Sequence, residues 1–77
     1  MKVSKEVAHG YSIEAARKER GATTSREWLA AAQAWNNVVS SAPDDNQTSY
    51  ALRRYMFCVG RLIKLQAWDE LCILGEV

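Results

Sequence analysis

Apolar residues recur at helical three- and four-residue steps along three stretches of the chain, and no stretch shows the two-residue alternation of a strand. The first stripe is narrow: Val7, Tyr11, Ala15 and the stem of Lys18. It predicts a helix starting at Ser4 or Ser12 and running to Arg20, with Gly21 as its stop and Gly10 fraying or breaking its first turn. The second stripe reads Trp28, Ala31 or Ala32, Trp35, Val38 or Val39, then Ala42, with Gln33, Asn36, Asn37 and Ser40 on the wet side. Thr24 or Ser25 is placed to cap this helix, and Thr24 with Glu27 three residues on has the form of a capping box.

A turn, "APDDNQ", comes next: Pro43 disfavours helical geometry at Ala42, and Asp45 or Thr48 is the expected cap of the next helix. That third stripe is the widest. Leu52, Tyr55, Met56, Val59, Leu62 and Ile63 form one apolar line, which Tyr50, Phe57, Cys58, Leu65, Trp68, Leu71, Cys72 and Leu74 broaden. Only Arg53, Arg54, Arg61, Lys64, Asp69 and Glu70 mark a polar side. The segment from Thr48 to Ile73 would span about 39 Å if unbroken. Gly60 or Gln66 is the place for a bend or break, and Gly75 ends it. The chain of 77 residues therefore reads as one all-α domain, a small three-helix protein with a long third helix and helical segments at 4–20, 25–42 and 48–73. Two short helices cannot cover so broad an apolar surface, which predicts a dimer. Trp35 is expected in the core between the first and third helices.

Charge and chemistry narrow the function. Formal net charge is +1, which gives no strong field for phosphate and disfavours sequence-specific nucleic-acid binding. The 48% hydrophobic content is that of a folded chain. The amino terminus lacks the apolar core of a signal peptide, and no run of about 18 apolar residues offers a membrane span, so a cytoplasmic protein is expected. Cys58 and Cys72 read as two buried, reduced thiols; a bridge within or between chains is the alternative. His9 stands alone and without the ligand spacing of a metal site. Asp44 and Asp45 read as turn and cap residues rather than as an acid–base pair. No phosphate loop, cofactor motif, metal site or catalytic constellation emerges. The basic residues Arg17, Lys18, Arg53 and Arg61, with Trp68, are the candidates for contact with a partner.

The stretch "YSIEAARKERG" and the two helical stretches after it resemble a family. The paired Ala15 and Ala16, then Glu19, Arg20 and Gly21, are similar to the opening signature of the AraC negative regulators, small helical bacterial proteins. Ala31, Ala32 and Trp35 resemble that family's paired small residues before a tryptophan. Asn46, Tyr50, Arg54, Phe57 and Cys58 resemble its later run of Asn, aromatic, Arg and Phe-Cys. The likeness extends from about Tyr11 to Arg61. It implies a non-catalytic regulator that binds and inhibits an AraC-type transcription factor by protein–protein contact, often encoded on a plasmid or phage. The PerC-type regulators have a similar layout and would imply a DNA-associated activator; an inhibitor of some other host protein is a further reading. "AAQAWNNVVSSAPDD" also resembles one tetratricopeptide helix, but no period repeats. Close approach at Ala15 and Ala16 suggests a salt bridge from Glu19 or Arg20 to Arg54 or Glu27, fixing the first helix on the others.

Overall fold

The computed structural model of the chain describes residues 5–42 and 44–76, with side chains from Gly10 onward. Four helices succeed one another: α1 (Lys5–Gly21), α2 (Ser25–Ser41), α3 (Asp45–Lys64) and α4 (Trp68–Leu74), with no strand among the described residues. The all-α expectation holds, and the three-helix count is corrected to four. Ser4, Pro43 and the side chains of Val7 and His9 lie outside the described residues.

The local signals explain most boundaries. Thr24 caps α2 by accepting from the backbone N–H of Glu27 at 3.2 Å, while the Glu27 carboxylate accepts from the N–H of Thr24 at 3.0 Å, which completes the capping box. α3 begins earlier than its sequence suggested. Asp44, not Asp45 or Thr48, is its cap, accepting from the N–H of Gln47 at 2.8 Å. Thr48 instead sits inside the first turn, its hydroxyl donating to the Asp44 carbonyl at 2.9 Å. In α1 the helix passes through Gly10 without a break.

The long third helix is divided at Gln66, the one described non-glycine residue with positive φ, at 55°. The N–H of Gln66 donates to Ile63 and that of Ala67 to Leu62, each at 2.9 Å, the bond pair that closes a helix on a left-handed residue. Gly60, the other candidate for the break, stays inside α3. Turning at Gln66 lets Ala67 and Leu71 reach the core, and their burial outweighs the cost of the left-handed residue. α4 then ends at Gly75, φ 82°, with the same bond pair: Gly75 to Cys72 and Glu76 to Leu71.

α2 is the central helix. α1 and α3 both pack on it, and α4 closes against α2 and α3. Trp28, Ala31, Ala32, Trp35 and Val38 of α2 meet Ala51, Tyr55, Cys58, Val59 and Leu62 of α3, joined by Ala67 and Leu71. The buried face of α3 is therefore rotated from the expected line: Tyr55, Val59 and Leu62 are inside, whereas Leu52, Met56 and Ile63 face out. Of the described α1 side chains only Ala15 is fully buried.

Candidate functional site

Glu19 lies one turn beyond Ala15 and Ala16, through which α1 packs on the core. Its carboxylate pairs with the Arg54 guanidinium of α3 through both oxygens, Arg54 Nε donating at 3.0 Å, and accepts from Trp35 Nε1 of α2 at 2.9 Å. Three helices thus meet at one mostly buried carboxylate. Hydrogen bonding to Glu19 raises the Arg54 pKa above its ordinary value, against the opposing cost of desolvation. The anticipated bridge to Arg54 is present, made by Glu19; Arg20 takes no part in it. Glu27 serves the α2 cap instead.

Aromatic rings surround this junction. Tyr50 meets Trp35 edge-on at 5.7 Å between centroids, and Arg54 lies over Phe57 at 4.8 Å. Phe57 in turn meets the edge of Trp28 at 6.0 Å, and Arg61 covers Trp28 at 5.4 Å. Cys58 is fully buried, its Sγ 4.0 Å from Glu19, and burial followed by the Glu19 charge pushes its thiol up to about 12. Such a thiol stays protonated at neutral pH and is a poor nucleophile. Cys72 is exposed, which corrects the expectation of two buried thiols, and both cysteines are free.

No family model, curated protein or solved structure matches this chain. Some of the residues that carried the resemblance share a place, while Arg20, Gly21 and Asn46 are exposed outside it. Glu19, Trp35, Tyr50, Arg54, Phe57 and Cys58 are linked through the contacts of this junction, and Ala15 is buried in the core with Ala16 packed against it. Their arrangement holds helices together.

The candidate contact residues fall into separate groups. Arg17 and Lys18 are exposed on α1, with Arg17 held by Glu14 at 2.6 Å. Together with Gly21, Glu27 and Ala30 they line a shallow groove between α1 and α2. Arg53 and Arg61 are exposed on α3, and Arg61 is engaged by Trp28. Trp68 is 52% exposed at the start of α4. Sequence reasoning missed the outward line of α3: Leu52, Met56 and Ile63 are 48%, 54% and 50% exposed and lie outside the core cluster. The signal was present as an apolar band too wide for one interface, but which half of it faced the core depended on the register against α2.

Among the described residues, no group of three His, Cys, Asp or Glu side chains could hold a metal. No described helix is long and apolar enough to cross a membrane.

Proposed function

We propose that the protein is a small non-catalytic regulator that acts by docking onto another protein, with a transcription factor of the AraC type as its target. The observation that carries the docking role is the outward line Leu52, Met56 and Ile63, three large apolar side chains left half-exposed on the longest helix. The target class comes from the resemblance. The cluster around Glu19 supports the non-catalytic part of the reading. Its carboxylate is occupied by Arg54 and Trp35, and its thiol is held protonated, so the most chemically distinctive residues are committed to structure.

The same outward line would serve an inhibitor of a different host protein, or self-association into a homodimer. The direct test uses a purified AraC-type regulator and its promoter. The chain should bind the regulator and lower transcription, and Leu52→Glu with Met56→Glu should abolish both while leaving helicity intact. Nanomolar, sequence-dependent binding of the chain to DNA at about 150 mM salt would instead favour the activator reading.

A further inference from the structure

The charges beside the outward line of α3 narrow what can sit on it. Leu52, Met56 and Ile63 succeed one another at steps of four and seven residues, so they form one ridge along the helix. Gly60 falls one turn beyond Met56, and nothing lies within 4 Å of the space where a side chain there would begin. Arg53 and Lys64 come one position after Leu52 and Ile63 respectively, which places both on the same edge of the ridge, about 16 Å apart along the axis. Both are exposed, and neither forms a salt bridge among the described residues. The opposite edge is the core itself, through Val59 and Tyr55. By contrast, Arg17 on α1 is already neutralised by Glu14.

We propose that this ridge seats a single amphipathic helix of another protein, one whose apolar line is edged by acidic residues facing Arg53 and Lys64. The inference rests on the docking function proposed above and adds the chemistry of the docking partner. Gly60 gives the incoming helix a place to approach the α3 backbone closely. The two cations ask for acids about eleven residues apart on one edge, spanning three turns. A second copy of the chain fits this description poorly. Antiparallel pairing of two α3 helices brings Arg53 of each copy to the Lys64 end of the other and opposes cations across the contact. Parallel pairing turns the cationic edge of each copy to the Val59 and Tyr55 edge of the other, which offers it no acid.

The test uses the full chain and two labelled helical peptides of about 18 residues, each with a leucine ridge, one edged by Glu and the other by Lys. The Glu-edged peptide should bind about tenfold more tightly at low salt, and the difference should shrink as salt rises. Arg53→Glu with Lys64→Glu should reverse the preference, and Leu52→Ser with Met56→Ser should remove binding of both peptides. Helicity of each variant, read by circular dichroism, separates lost binding from lost fold. Equal binding of the two peptides would overturn the acidic class while leaving the docking function standing. A chain that binds neither peptide and sediments as a monomer would overturn the seat together with the docking reading. A dimer dissociated by Met56→Glu would make a second copy the occupant and overturn the proposal, as would attachment of the chain to anionic vesicles through Leu52 and Met56.

Discussion

Two cysteines fourteen positions apart in sequence have opposite environments. Cys58 is enclosed at the junction of the helices, and Cys72 is exposed on α4. A thiol reagent should therefore modify one cysteine rapidly in the native protein and the second only on unfolding; two fast equivalents would show that the junction is open. The buried groups also set the response to alkali. Burial pushes the Cys58 thiol from 9.0 to about 12, and burial with the Glu76 hydrogen bond pushes the Tyr55 phenol from 10.0 to about 12. Both are neutral in the folded and unfolded chain well below pH 9. Between pH 9 and about 12 the unfolded chain releases protons that the folded one retains, so stability falls as pH rises. The slope should approach about 1.4 kcal/mol per pH unit for each group. Denaturant melts across this range check it, and Cys58→Ala should remove the earlier part of the decline. None of this was legible from residue type: a cysteine in an apolar run is equally consistent with either environment until the register of its helix is known.

The elements themselves were largely readable because their ends carry local chemistry. Thr24 and Glu27, and Gly75, specify their boundaries through hydrogen bonds made within a few residues. The division at Gln66 was harder, since glutamine has no intrinsic preference for a left-handed backbone and Gly60 was the more conventional breaker. Distant contacts decide it: Ala67 and Leu71 in the core, the Ser25 hydroxyl to Glu70 at 3.3 Å, and the Tyr55 hydroxyl to Glu76 at 2.7 Å. A β-branched side chain is strongly disfavoured at positive φ, whereas glycine is at ease there. Gln66→Ile should therefore lower stability by about 1–2 kcal/mol, and Gln66→Gly should leave the melting temperature unchanged or raise it. Equal losses from both would place the importance of the turn in the glutamine side chain rather than in its backbone.

For the whole molecule, the chain itself covers part of the broad apolar band of residues 48–73. Of the two places the sequence offered for a break in residues 48–73, the turn falls at Gln66, which folds the end of the segment back and makes Leu71 part of the core. The apolar surface left outside includes the α3 ridge, whose position no pattern of single helices could show, because it depends on how α3 sits against α2. The meeting of Glu19, Arg54 and Trp35 has a consequence for motion. α2 and α3 bury the large side chains of the core against one another, whereas α1 packs on α2 through small ones, Ala15 and Ala16, and through the Glu19 carboxylate. Such an element detaches at a lower free energy than the body it rests on. Backbone amides of α1 should exchange with deuterium through local opening, well before those in the middle of α2 and α3. Glu19→Ala leaves the Trp35 indole N–H and the Arg54 guanidinium without their acceptor, a loss of about 1–3 kcal/mol. It should speed exchange in α1 far more than in α3; uniform acceleration across all four helices would instead mean that the chain opens only as one cooperative unit.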